Sequence, residues 1–413
     1  MKYCKIPQEW KVVKTGDVCT SIVPGRNKPK IFDGDIPWIT IPDVDGLTLS
    51  ASKIGLAVSR EELKKAKGKT IPPNTVVMTC VGTFGIAAVT TREIVINQQL
   101  HGFICKEDVL PLYLCWVLRA KEAEMIALAG KTTIPYLNRE KCESISFALP
   151  PLREQKKIAA ILSSVDEAIA KTQAVIDQTR KVKQGLLQQL LTRGVGHTKF
   201  KDSAIGKIPE SWKVVELGDI TKESAFGPRF SGELYDPNGN YGSVRTTDID
   251  ENWEINYTTV PRAMLPEEQC QNHRLIDGDL LVTRSGSCGI ICIFREQTVP
   301  MIPGAFLIRF RLINSANSEF IRLAMMIPST QSIIATMAAG GVQKNLSGTN
   351  LKKLLLPLPS LEEQNKIVLL YNNVLQSEKT SQTNLQQLEQ LKRGLMQDLL
   401  TGRVRVQGAS PSI

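Results

Sequence analysis

The chain is written twice. Residues 6–18 recur as residues 208–220 with eight of thirteen positions identical, among them Ile6/Ile208, Pro7/Pro209, Trp10/Trp212, Gly16/Gly218 and Asp17/Asp219. Residues 149–158 recur as 358–367, carrying Leu149, Pro150, Leu152, Glu154, Gln155 and Ile158 over to Leu358, Pro359, Leu361, Glu363, Gln364 and Ile367. A third block, 183–192, returns as 392–401. The offset is 202 for the first block and 209 for the other two, so two units carry the same landmarks in the same order around a diverged middle. Such a repeat restricts the fold to two copies of one architecture.

Within each unit the character changes once. Residues 1–149 and 208–357 read as mixed α/β, with β-rich runs at 74–79 and 279–283 broken by Gly and Pro, and short helices expected at 111–129 and 318–338. After each Leu-Pro-x-Leu the chain is free of proline for about forty residues with helical periodicity; Pro150 and Pro151 (Pro359 and Ser360 in the second copy) suit a helix start, and Gly194 a stop. The expected boundaries are a first globular domain at 1–149, a central helix at 150–194, a linker and second domain at 195–357, a C-terminal helix at 358–402 and a frayed tail at 403–413.

Both helices carry a seam with alternating spacings of four and three. The first is Ile158, Leu162, Val165, Ile169, Thr172, Ile176, Thr179, Lys183, Leu186 and Leu190; the second is Ile367, Tyr371, Val374, Glu378, Ser381, Leu385, Leu388, Lys392, Leu395 and Leu399. Seven of ten are apolar in each, which is the signature of a coiled-coil seam rather than of an ordinary surface helix. The polar members leave the pairing short of optimal. Direction follows from size. A forty-residue helix is roughly 60 Å long, whereas a domain of this length spans only about 40 Å and could not bridge between the ends of parallel helices. The expected fold is α+β: two mixed α/β domains separated by two long antiparallel coiled-coil helices, related by a pseudo-twofold internal repeat.

Two similar but unlike domains related by a pseudo-dyad match the local dyad of duplex DNA. They predict a two-part, asymmetric target with an unread gap whose length the helices set. A net charge of +10 and a pI near 9.1 suit a polyanionic partner. Hydrophobic residues make up 42% of the 413, enough for real cores.

Catalytic and membrane functions lack their motifs. Gly68-Lys69-Thr70 and Gly130-Lys131-Thr132 both miss the glycine that a phosphate-binding loop needs five residues upstream. Ile71-Pro72-Pro73-Asn74 matches an adenine methyltransferase motif only in scrambled order. The three histidines, His101, His197 and His273, form no spaced set with carboxylates. Of nine cysteines only Cys288 and Cys292 lie close, without a second pair for zinc, so reduced thiols and no metal or other cofactor are expected. No apolar run reaches 18 residues, and the amino terminus has no apolar stretch, which predicts a cytoplasmic protein with no membrane partner.

The Ile-Pro-x-x-Trp start, the Leu-Pro-x-Leu-x-Glu-Gln-x-x-Ile run into a helix and the Leu-x-x-Leu-Leu-Thr close, each present twice, resemble the specificity subunit of Type I restriction–modification enzymes. The resemblance covers essentially the whole chain and implies no catalytic site. It implies two target-recognition domains that each read half of a bipartite sequence in double-stranded DNA. It further implies helices that dock two copies of an adenine methyltransferase (modification) subunit, and translocase–nuclease (restriction) subunits in the full complex. Ser360 departs from Pro151, and Leu375 stands where the first helix has Asp166, so a contact made by Asp166 is not duplicated. The alternative is a scaffold joining two protein-binding domains through the coiled coil, with DNA uninvolved.

Chemistry supplies the DNA-binding candidates. A basic, Gly/Pro-shaped loop at 24–30 offers Arg26, Asn27, Lys28 and Lys30, and its counterpart at 226–231 offers Arg229. The loop before each long helix offers Lys131, Thr132, Thr133, Tyr136 and Asn138 in the first unit. In the second it offers Gln343, Lys344, Asn345 and Ser347. These are groups able to hydrogen-bond base edges. Glycine turns at 82–86 and 286–290 could approach phosphate, with Arg284 beside the second. Arg245 could reach guanine or pair with Asp248.

Overall fold

The computed structural model describes residues 6–25, 27–130, 133–338 and 345–406. The chain divides into two compact units, one of Met1–Ala174 with Ser381–Ile413 and one of Val175–Thr380. Each unit thus takes part of both long helices, Leu152–Arg193 and Leu361–Leu400.

In the first unit the main sheet has the strand order Cys19–Ile22, Leu100–Cys105, Thr75–Thr79, Ala87–Thr90, Thr48–Leu49. A smaller sheet joins Ala57–Val58, Ile36–Ile39 and Val95–Ile96. In the second unit the order Thr221–Phe226, Leu307–Leu312, Leu280–Thr283, Ile291–Ile293 repeats the heart of the first, again with a small three-stranded sheet. The helical stretch that follows is broken once in each unit. Pro111–Ala120 gives way to Glu122–Ala129, and Ser318–Met326 to Pro328–Met337, where Pro328 cannot continue the previous helix.

The repeated blocks meet in space. Lys11–Lys14, from the opening block, pairs antiparallel with Ser146–Leu149 just before the central helix. Lys213–Glu216 pairs in the same register with Leu355–Leu358. The Glu-Gln of the second block then fastens the helix to its unit. Trp10 Nε1 donates to Glu154 Oε2 at 3.0 Å, and Trp212 Nε1 to Glu363 Oε2 at 3.0 Å. Gln155, fully buried, accepts from the Leu110 amide and donates to the Asp108 and Pro150 carbonyls. Gln364 does the same with the Asn317 amide and the Ser315 and Pro359 carbonyls. A buried backbone group without a partner costs about 1–3 kcal/mol, which accounts for an amide at this place in both copies.

Each long helix ends on a left-handed glycine seated against a repeated tryptophan. A Cβ on Gly194 (φ +64°) would fall 2.8 Å from the Trp212 ring, and one on Gly402 (φ +73°) 3.3 Å from that of Trp10. The tail was expected to fray, but its described part does not. Arg405 pairs with Glu154 at 2.8 Å and Glu9 at 2.9 Å, as His197 pairs with Glu363 at 2.8 Å in the other unit. The carboxylate left over by the tryptophan explains this hold; residues 407–413 lie outside the described set.

All twenty seam positions are buried or half-buried. In the first unit, Ile158, Ala159 and Leu162 share a core with Leu399 and Leu400; in the second, Leu190 and Leu191 share one with Ile367 and Tyr371. Within each unit the partners run in opposite directions. Glu154 meets Arg405 and Asp166 meets Lys392 in the first; Lys183 meets Glu378 and His197 meets Glu363 in the second. The helices therefore pair antiparallel.

Candidate nucleic-acid interface

The candidate loops of the second unit converge. Leu280–Thr283 ends in the turn that carries Arg284, and the Arg284 carbonyl accepts from the Leu346 amide at 2.8 Å. Ser285 and Asn345 form a bridge, joining the glycine turn to the loop before the C-terminal helix. The Arg284 guanidinium lies 4.4 Å from the centre of the Phe226 ring and donates to Asn345 Oδ1 at 3.3 Å. Phe226 opens the 226–231 loop, so three segments distant in sequence meet around one arginine.

Arg284 also donates its amide to the Phe306 carbonyl at 2.9 Å. Phe306 borders a cavity of about 550 Å³ whose walls include Arg229, Phe230, Tyr235, Ser243 and Arg245. Ser243 Oγ is buried without a hydrogen-bond partner among the described residues. Arg245 takes the second of its two sequence-allowed roles, a bidentate pair with Asp248 at 2.9 and 3.2 Å, and still lines the cavity. Arg229 is exposed beside it.

The first unit repeats the arrangement with other side chains. The Cys80 carbonyl accepts from the Leu137 amide at 2.8 Å, the Gly82 amide donates to the Pro135 carbonyl, and Val81 bridges to Tyr136. Tyr136 and Thr133 are exposed. Asn27, Lys28 and Lys30 are exposed on the 24–30 loop. That loop is tied down by Gln98 Nε2, which donates to the Gly25 carbonyl at 2.9 Å, and by the Lys30 amide, which donates to Glu62. Arg26, Lys131, Thr132, Gln343 and Lys344 lie outside the described residues.

Two candidates have a structural duty as well. Asn138 Oδ1 accepts from the Lys141 amide at 2.9 Å and Ser347 Oγ from the Asn350 amide at 3.1 Å. Each caps the short helix leading to the strand before its long helix. Sequence reasoning missed the Asn97–Gln98–Gln99 turn and the aromatic rim of the cavity, formed by Phe230, Tyr235 and Phe306. Three successive amide residues before a β-run were the available signal for the first. Isolated aromatics, with Phe306 far in sequence from the other two, gave none for the second.

Among the described residues eight cysteines are free, six of them buried, and no cluster of three or more metal-ligating side chains occurs. Burial pushes the Cys80, Cys115 and Cys292 thiols up to about 12, far from the reactive thiolate range. No helix among these residues is long and apolar enough to cross a membrane.

Comparison with known proteins agrees with this layout. The chain is 26% identical to the Type I restriction enzyme MjaVIII specificity subunit of Methanocaldococcus jannaschii, over 97% of this chain and 94% of that one. It is 24% identical to the Type I restriction enzyme EcoKI specificity subunit of Escherichia coli K12, over 88% and 82%. Among solved structures, the S subunit of a Type I restriction-modification system from M. genitalium aligns with a TM-score of 0.55 at 14% identity, covering 96% of this chain and 98% of that one. The HsdS subunit from Thermoanaerobacter tengcongensis aligns at 0.51 and 17%, covering 97% and 99%. The model of the Type I restriction modification DNA specificity domain matches residues 7–178 and again 209–391. Matched across both of its repeats, the chain belongs to the Type I restriction modification DNA specificity domain family.

Proposed function

We propose that this chain is the sequence-reading, non-catalytic subunit of a Type I restriction–modification complex. Each unit reads one part of a bipartite, asymmetric DNA target, and partner subunits carry out adenine methylation and restriction there. Two copies of the methyltransferase subunit dock on the chain, and the restriction subunits join the full complex.

The observation that carries this reading is the paired convergence of loops. In both units the glycine turn, the loop before the long helix and the early basic loop are tied together by backbone hydrogen bonds and side-chain contacts. The groups presented differ: amides, Lys28 and Tyr136 in one, arginines and aromatics in the other. A shared frame with unlike tips is what two different half-sites require.

The test uses the purified full chain with duplex DNA. Binding is expected to fall steeply with salt, because phosphate contacts release counterions. Neither methylation nor cleavage is expected until the partner subunits are added. Binding indifferent to salt, or catalysis by the chain alone, would overturn the proposal.

A further inference from the structure

The strands Leu100–Cys105 and Leu307–Leu312 hold the same place in their sheets, each between the first strand and the strand that leads to the glycine turn. The residue before each is therefore equivalent: Gln99 in one unit, Phe306 in the other. Their carbonyls accept from equivalent amides, Cys80 and Arg284, both at 2.9 Å. Both side chains are exposed at the junction of the candidate loops. In the first unit Gln99 stands at the hub. Its neighbour Gln98 holds the 24–30 loop, and Cys80, bonded to Gln99, holds the 133–138 loop.

Gln99 is also held in position. Asn97 Oδ1 accepts from the Gln99 amide at 3.1 Å, and Asn97 Nδ2 donates to Gln99 Oε1 at 3.1 Å. A free glutamine loses rotamer freedom when fixed, and this grip removes part of that cost before any ligand arrives. It uses one lone pair of Oε1. The second lone pair remains, and among the described residues no hydrogen bond engages Nε2. A donor beside an acceptor on one planar amide matches N7 and the N6 amino group of adenine in the major groove.

We propose that Gln99 reads an adenine in the part of the target recognised by the first unit, with Asn97 as its positioning residue. This rests on the DNA-reading function proposed above. The test selects bound duplexes from a random-sequence pool, using the full chain assembled with its partner subunits. The wild type is expected to yield a two-part motif. Gln99→Ala is expected to relax one A·T pair in one part only, with a loss of discrimination of roughly 5- to 150-fold. Gln99→Glu is expected to move the preference there to C·G, since a carboxylate accepts from cytosine N4 but cannot donate to adenine N7. A wild-type motif that both variants reproduce with equal discrimination would overturn this inference alone. So would a uniform loss of binding to all sequences in Gln99→Ala. A wild-type pool without a motif would overturn the DNA-reading function and this inference with it.

Discussion

Lys183 Nζ donates to Glu378 Oε2 at 2.5 Å between the two long helices, and Lys392, the repeat equivalent of Lys183, meets Asp166. The lysines correspond in the two copies, but their partners do not: the position matching Glu378 is Ile169, and the position matching Asp166 is Leu375. Each copy therefore met the same need, a counter-charge for a seam lysine, with a carboxylate at a different place.

Glu378 and its cationic partners Lys183 and Arg180 differ in burial, so their removals are unequal. Burial alone would raise the Glu378 carboxyl, but hydrogen bonds and charge from Lys183 and Arg180 outweigh it and hold the group below its usual value. Its side chain is 7% exposed, against 23% for Lys183 and 51% for Arg180. Glu378→Gln frees cations that can reach water and is expected to cost about 1–2 kcal/mol. Lys183→Met removes the cation at 2.5 Å from a buried carboxylate and is expected to cost more, about 2–3 kcal/mol. Because the folded pKa is depressed, this contribution is present above the usual carboxylate pKa and is lost as pH falls through the folded one. Urea unfolding of both variants at neutral pH decides the matter; the reverse order of costs would refute the account.

Gln155 and Gln364 each satisfy one backbone amide and two backbone carbonyls, with the Pro150 and Pro359 carbonyls in buried contacts. Gln155→Ala is expected to destabilise the first unit by about 3 kcal/mol. Gln155→Glu should do no better, because a carboxylate cannot donate to two carbonyls. Thermal unfolding followed by tryptophan fluorescence reads both, and a Glu variant as stable as wild type would contradict the assignment.

The repeat, the long helices and their seams were legible because they obey a period. Positions such as Ile158, Leu162, Ile367 and Tyr371 announce a buried face by spacing alone, and all four are buried. The Glu-Gln pair was visible as a repeat but not as a fastening, since its partners, Trp10 and the 108–110 turn, lie 144 and about 46 residues away. The helical break at Pro328 could be read from its proline; that at Lys121 has no such mark. Candidate loops were legible as basic and glycine-bearing. What joins them was not, because Arg284, Phe226 and Phe306 meet only through sheet order. Asn138 and Ser347 carried a capping signal that went unread beside their hydrogen-bonding chemistry.

His101 gives the first unit a sensitivity to acid. Its ring, 2% exposed, lies 4.6 Å from that of Phe103 and hydrogen-bonds with Ser21 Oγ at 3.1 Å. Burial lowers its pKa from 6.5 to about 4, with nearby Glu143 opposing and Arg139 adding to the shift. The unfolded chain thus binds a proton that the folded chain refuses between these values. Stability from this source is complete above pH 6.5 and is lost as pH falls toward 4, by about 3 kcal/mol in all. Urea midpoints from pH 7 to 4.5 should fall less in His101→Gln than in wild type; parallel curves would remove histidine from the explanation.

Arg284 is the candidate contact with the most definite geometry. Stacked on Phe226 and tied to Asn345, its guanidinium is held before DNA arrives, which favours bidentate reading of a guanine over a mobile phosphate contact. Arg284→Ala is expected to cost about 1–3 kcal/mol against the target, with discrimination lost at one G·C pair and the salt slope almost unchanged. A phosphate contact would instead weaken all sequences alike and reduce the slope by about one. Fluorescence anisotropy with duplexes carrying single base-pair changes, repeated across a salt series, separates the two. Phe226→Ala should then reproduce part of the loss without touching DNA charge, because it removes the platform and leaves the cation. If Phe226→Ala binds and discriminates as wild type does, the stack plays no part in reading and the arginine is no better poised than any exposed one.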